Sequence, residues 1–272
     1  MTYRDFLETA LHATARGAGI LASAHPGVVR KKGDRDLVTD ADLEIQRQII
    51  AHLSRATPGI EVLAEESAHQ PDPATAERLW VLDPIDGTSN FVHGLPLYAV
   101  SLALLDHGRP VVAVTRAPLL ERTYHATKGG GAYLNGRSIT ANGTNQLDEA
   151  IVSLGDYATG QDADDRNRYR LALTRELVAR VERIRMFGAA TLDLAFVAEG
   201  ATDACIIMSN KPWDTAAGTL LAAEAGASVT DGHGNAHTHQ SAATIAAAPG
   251  ITDQLATIIE ICGRQSHSAG AQ

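Results

Sequence analysis

The stretch Leu79-Trp80-Val81-Leu82-Asp83-Pro84-Ile85-Asp86-Gly87-Thr88 ends an apolar run in two aspartates, and a Gly-Thr turn follows at once. An acid emerging from a buried strand needs a cation or a full set of hydrogen bonds, because an unpaired buried charge is prohibitively costly. Asp86 is near enough to Asp83 to share that cation. Gly87 and Thr88 stand where a helix begins. The first amides of a helix have no partner within it and bind anions. Carboxylates for a hard cation beside amides for an anion describe a metal-dependent phosphate site. Two more acids occupy a strand end or a helix start: Glu65, after the short strand expected over 60–64, and Asp214, in Pro212-Trp213-Asp214. Mg²⁺ prefers oxygen ligands and keeps several waters; two such ions, about 4 Å apart, can hold the attacking and leaving oxygens of a phosphoryl group. A lone Asp before Gly is most often a cap or a surface charge. The buried strand in front of Asp83 sets this cluster apart.

The elements that must position these acids follow from periodicity. Phe6, Leu7, Ala10, Leu11, Ala18 and Leu21 recur at helical spacing, which predicts a helix over 3–24 that His25-Pro26-Gly27 stops. A second helix follows Thr39, with Thr39 or Asp40 as N-cap and a stripe of Ala41, Ile45, Ile49 and Leu53. Strands are expected over 60–64, 78–85, 97–105 and 111–117, with 67–77 a surface loop. Turn signals at 129–131 and at Asn135-Gly136 flank a short strand. The second half predicts helices over 168–181 and 190–199, a strand over 202–208, an Ala-rich helix from Pro212 to near Gly226, and a strand and turn over 229–234. The Ala-rich face of 216–225 predicts close helix packing. Helices and strands alternate without a clean βαβ period, which indicates an α/β protein of layered, partly antiparallel sheets rather than a simple doubly wound fold. The length suits one domain over 1–263, with halves of about 1–145 and 146–263, followed by a disordered tail over 264–272.

A hydrophobic content of 44% allows a sizeable core, and a net charge of −9 without a basic block argues against a nucleic-acid surface. An acidic protein handling an anionic substrate needs local cations, which metals would supply. Cys205 and Cys262 lack metal-type spacing and read as reduced thiols of a cytoplasmic protein. No apolar run has the length of a signal core or a membrane span, so no membrane partner is expected. His233, His237 and His239 lack a recognised ligand spacing and read as an exposed hairpin.

At this point the motifs become specific. Asp83-Pro84-Ile85-Asp86-Gly87-Thr88-Ser89-Asn90-Phe91 resembles the first signature of the inositol monophosphatase family, and Trp213-Asp214-Thr215-Ala216-Ala217-Gly218 its second. Ala64-Glu65-Glu66-Ser67, and Asp36-Leu37-Val38-Thr39 with Asp42, resemble two upstream elements of that family in the same order and spacing. The resemblance runs from about residue 5 to 262 and implies the five-layer α-β-α-β-α sandwich of the Mg²⁺-dependent, lithium-sensitive phosphatases. It further implies two to three Mg²⁺ per subunit. Glu65, Asp83 and the Ile85 carbonyl would hold the first; Asp83, Asp86 and Asp214 the second; a third would lean on Glu65 through water. Gly87 and Thr88 amides would grip the phosphate. Glu65 and the Thr88 hydroxyl would orient the attacking water, with Asp42 behind them. A homodimer is implied as well, and the loop carrying Lys31-Lys32 would approach the metals.

Two departures bear on the substrate. Family members acting on inositol phosphates typically carry a Glu seven residues before the second-signature Asp; here Ile207 stands there. The family's Gly-Thr-Ala or Gly-Ser-Ala element aligns with Gly188-Ala189-Ala190, so a hydroxyl is missing too. Substrate contacts are expected from Gly188, Ala189 and Ile207, or from Asp193 and Lys211 if Ile207 is core. Arg185 either pairs internally or touches substrate. The expected activity is metal-assisted hydrolysis of a small phosphorylated alcohol, with inositol, sugar, histidinol and nucleoside monophosphates open. The alternatives are a 3′-phosphoadenosine nucleotide phosphatase, which Ser89-Asn90-Phe91 disfavours, and a regulatory, RNA-polymerase-associated protein on the same fold.

Overall fold

The computed structural model describes residues 1–269. Thr2 and Asp5 form a capping box at the start of α1 (Tyr3–Leu21), each bonding the other's amide. A hairpin of β1 (Val29–Gly33) and β2 (Asp36–Thr39) leads into α2 (Asp40–Ala56). The chain continues through β3 (Glu61–Ala64), β4 (Arg78–Asp86), α3 (Thr88–His93), β5 (Ala99–Asp106), β6 (Arg109–Ala117), β7 (Arg122–Thr127), β8 (Gly131–Leu134) and β9 (Arg137–Ile139). The second half holds β10 (Ile151–Leu154), α4 (Ala163–Val178), β11 (Arg183–Arg185), α5 (Ala190–Ala198), β12 (Ala204–Ile207), α6 (Pro212–Glu224), β13 (Ser228–Thr230), β14 (Thr244–Ala247) and α7 (Thr252–Ala269).

Strands β3 to β9 form a seven-stranded sheet in sequence order, parallel at β3–β4 and antiparallel elsewhere. A five-stranded sheet runs β11-β10-β12-β14-β13 and mixes parallel and antiparallel pairs. Side chains alternate along a strand, so a strand buried on both faces serves two cores. In β4, Trp80 and Leu82 join Phe6, Ile45 and Ile49 of α1 and α2, while Leu79 and Val81 face Ala217, Leu220 and Leu221 of α6. In β12, Cys205 and Ile207 face Leu194 and Val197 of α5, while Ala204 and Ile206 face Leu173 of α4 and Leu255 of α7. The layers are therefore α1/α2, large sheet, α5/α6, small sheet and α4/α7: the five-layer sandwich expected from the sequence. Within the middle layer the helices nearly touch. A Cβ on Gly218 of α6 would lie 2.5 Å from Leu194 Cβ, which is the close packing read from the Ala-rich face.

The second half departs from expectation in detail. Helix α4 starts at Ala163 rather than 168, because Asp164 and Asp165 in its first turn favour the helix dipole. Strands β10, β11 and β14 span three or four residues each and are too short for a period to register. Helix α7 continues past Gly263 to Ala269. This corrects the expected disordered tail: one glycine costs a helix only about 1 kcal/mol relative to alanine, and no proline follows. Residues 270–272 of that tail lie outside the described residues. No helix among the described residues is long and apolar enough to cross a membrane.

Candidate active site

The carboxylates converge through backbone register. Ala64 of β3 pairs with Leu82 of β4, and the Glu65 amide donates to Leu82 O at 3.2 Å, so Glu65 and Asp83 leave neighbouring strands side by side. Against β5, Asp83 pairs with Ser101 and Asp86 with Ala99. Three steps on β4 thus match two on β5, a bulge at Pro84-Ile85 that turns both acids to one face. That face looks toward α5, where the Thr191 amide donates to Asp86 Oδ2 at 2.7 Å and the Thr191 hydroxyl to Ser101 Oγ at 3.2 Å. The first turn of α6 brings Asp214 to the same place, and the charges of Glu65, Asp86, Asp214 and Asp42 all bear on Asp83.

Asp83 and Asp86 are buried, 2% and 7% exposed. Burial first, and then the negative charges of Glu65 and Asp86 on Asp83 and of Asp214 on Asp86, hold both carboxyls well above the usual carboxylate range. Burial pushes Asp214 up to about 7, with the Lys211 ammonium pulling the other way. Such crowding is relieved by a cation. The donors are all oxygens, four carboxylates and the Ile85 carbonyl, so the set suits a hard divalent ion. Among the described residues, no three acidic, histidine or cysteine side chains are drawn up as a closed metal shell. Glu65 is instead paired with Lys32 of β1, whose Nζ lies 2.8 Å from Glu65 Oε1 and 2.6 Å from Glu66 Oε1. Burial disfavours that ammonium, but the two glutamates outweigh it and raise its pKa. The hairpin expected near the metals therefore does reach Glu65, through Lys32.

Asp42 and Thr88 meet behind the acids. Asp42 closes the capping box of α2, with Oδ2 accepting from the Thr39 amide at 2.8 Å and from the Thr39 hydroxyl. Its Oδ1 lies 3.3 Å from Thr88 Oγ1, which also donates to Ile85 O at 2.9 Å. Gly87 caps α3 at φ 88°, and a Cβ there would lie 2.8 Å from Leu97 O and 3.1 Å from Ala189 Cβ. Only glycine fits this turn. The amides of the first turn of α3 have no acceptor within the helix. Asn90 Nδ2 donates to Leu97 O at 2.8 Å and to Phe187 O at 2.7 Å, locking the Gly188-Ala189 loop against α3.

The remaining expected residues divide. Asp193, in the first turn of α5, is 1% exposed with Oδ1 unpaired, and burial pushes its carboxyl up to about 7. Its charge also bears on Asp86, which places it behind the acids. Lys211 is exposed beside Asp214, its ammonium 5.9 Å from the Trp213 ring centre. Ile207 is 3% exposed in the core with Leu194, Val197 and Cys205, so the structure supports its reading as core. Arg185 donates to Ile184 O at 2.9 Å and is exposed. His237 bonds Thr244 Oγ1 and His239 the Gly108 carbonyl; His233 is exposed in the turn. Sequence reasoning missed that Lys32 pairs with Glu65. A two-residue pair, Lys31-Lys32, gives no sign of which ammonium turns inward.

Comparison with known proteins supports the fold. The profile of the inositol monophosphatase family matches residues 3–264. A Thermotoga maritima protein named fructose-1,6-bisphosphatase/inositol-1-monophosphatase is 37% identical over 79% of this chain and 81% of its own length. A Neisseria meningitidis protein named putative Nus factor SuhB is 36% identical over 93% of this chain and 97% of its own. The solved structure of a Thermotoga maritima IMPase superposes with a TM-score of 0.87 at 32% identity, covering 96% of this chain and 99% of that one.

Proposed function

The chain belongs to the inositol monophosphatase family and is a phosphoric monoester hydrolase, and we propose that it releases phosphate from a small phosphorylated alcohol using Mg²⁺ held by Glu65, Asp83, the Ile85 carbonyl, Asp86 and Asp214. The observation that carries this reading is the bulge in β4, which turns Asp83 and Asp86 to one face beside Glu65 and Asp214. When bound, the metal lowers the pKa of a coordinated water and neutralises phosphate charge. Phosphoryl transfer then asks the protein mainly for positioning. Asp42, its Oδ2 held by Thr39, fixes the Thr88 hydroxyl. With its proton committed to Asp42 or to Ile85 O, Thr88 Oγ1 offers lone pairs to a water and, with Glu65, orients it. The Gly87 and Thr88 amides receive the phosphate at the start of α3. Two to three Mg²⁺ per subunit, cytoplasmic operation and a homodimer belong to the same reading, and a solution mass near twice 28.7 kDa by light scattering tests the last.

The test of the activity is phosphate release with and without Mg²⁺ across inositol, sugar, histidinol and nucleoside monophosphates. Turnover of at least one ester that stops on chelation supports the proposal; no turnover of any ester with Mg²⁺ present overturns it. A second reading, a transcription-associated role on the same fold, draws on the relative named SuhB. Retention of all four acids keeps hydrolysis as the primary function.

A further inference from the structure

A cleft of about 530 Å³ lies along α6, lined by a face of that helix that does not include Asp214. Its volume is within the range of small-molecule sites. One wall is the stripe Thr215, Ala216, Thr219, Leu220 and Ala223, which recurs at helical spacing. Leu105 and Pro110 of the β5–β6 hairpin and Val229 of β13 line it too, so the walls are largely apolar.

The charges are at the edge. Arg109 opens β6, and Lys128 follows β7 with its amide bonded to Val111 O at 2.9 Å, so both cations stand at one end of the large sheet. Both are exposed, and among the described residues neither side chain has a hydrogen bond or an ion pair. Glu224, the acid in the lining, is already held by the Gly129 and Gly131 amides at 2.7 and 2.9 Å. His239 lines the cleft as well and is seated on bare backbone: a Cβ on Gly108 would lie 2.9 Å from its Cε1. Gly108 O can only accept, so His239 Nδ1, at 3.3 Å, carries the proton of that contact. Nε2 is buried without a partner.

Two unpaired cations beside an apolar cleft, in a chain of net charge −9, call for an anionic partner of small size. We propose that this cleft is a second ligand site, for a small organic anion whose apolar body lies on α6 and whose carboxylate or phosphate faces Arg109 and Lys128. The inference is independent of the phosphatase reading.

The probe is 8-anilinonaphthalene-1-sulfonate, an apolar ring system with one anionic group, titrated by fluorescence into the full chain with Mg²⁺. One saturable dye per chain is expected. The double variant Arg109→Glu/Lys128→Glu is expected to weaken it about tenfold or more, roughly 1.4 kcal/mol. Ala223→Trp, at an exposed helix position that the dye would cover, is expected to do the same with an unchanged melting temperature. Asp214→Asn should bind the dye as wild type does. Absence of saturable binding, an affinity within threefold of wild type in either cleft variant, or loss of the dye in Asp214→Asn overturns the proposal.

Discussion

Asp83 and Asp86 present their carboxylates to one face of the large sheet although they are three residues apart, a spacing that sends side chains to opposite faces of a regular strand. The extra residue at Pro84-Ile85 makes the difference. Ser101 and Ala99, their partners on β5, are two apart and so share a face, and the two aspartates share it with them. The cost is two buried acids in mutual repulsion. A structure tolerates such repulsion where function requires it, and the cation proposed for this site would meet that requirement.

Neutralising one acid should therefore act oppositely on activity and on stability. Asp86→Asn or Asp214→Asn is expected to lower Mg²⁺-dependent phosphate release by about tenfold or more. In chelator at pH 8, Asp214→Asn should melt above wild type, because the amide removes a charge that burial disfavours. Single-turnover rates within threefold of wild type would sink the metal assignment.

Gly87→Ala tests the phosphate turn. The substitution meets Leu97 O and Ala189 Cβ and forces a side chain into φ 88°. A loss of about 1–3 kcal/mol in denaturant unfolding is expected, with weaker phosphate release. An unfolding free energy equal to wild type would show that the turn has slack.

The layers of the first half are legible in the sequence because its strands are long and its helices strongly amphipathic. Trp80 with Leu82, and Leu79 with Val81, announce a strand buried on both faces. The second half is less legible. Helix α5 is buried all round, from Thr191 to Ala198, so it lacks a polar face, and β10, β11 and β14 are too short for a pattern. At the site, residue types and spacing point to the acids, but not to the bulge that aligns them or to the Lys32 pairing. Both depend on register between distant segments. Asp193 shows the same limit: its sequence position suggests a substrate contact, and its burial emerges only from the packing of α5.

Asp193 also gives a pH signature. Its folded carboxyl titrates at about 7, well above an exposed aspartate near 4. The native state thus binds the proton more tightly than the unfolded state, and stability is present below pH ~4 and lost as pH rises through about 7. Half-buried His237, held below its ordinary value by partial burial, works in the opposite sense. A difference measurement removes it. The melting temperature of Asp193→Asn minus that of wild type, in chelator, is expected to grow from pH 5 to pH 8 and then level off. A gap that stays constant over that window would mean that Asp193 is ionised in the folded protein throughout.

The substrate argument rests on Ile207. It packs with Leu194, Val197, Cys205, Ala222 and Ala246 at the end of β12 and offers no acceptor. With Ile207 turned into the core, no acceptor stands at this position, and a polyol hydroxyl that would have used one is left unpaired, which costs about 1–3 kcal/mol. Felt in the transition state, that is roughly 5- to 150-fold in kcat/KM. An ester whose alcohol is flatter or partly apolar on this side, such as an imidazole or nucleoside alcohol, escapes the loss. Myo-inositol 1-phosphate is therefore expected to fall behind the best ester of the panel by that margin, through kcat/KM and not through the Mg²⁺ requirement, which all esters share. Restoring a carboxylate with Ile207→Glu is a poor test by itself. The new charge would be buried among aliphatic side chains, and a loss of several kcal/mol of stability is expected instead. The wild-type panel decides: if inositol 1-phosphate leads it, the specificity argument from Ile207 is wrong, and the phosphatase assignment stands unchanged.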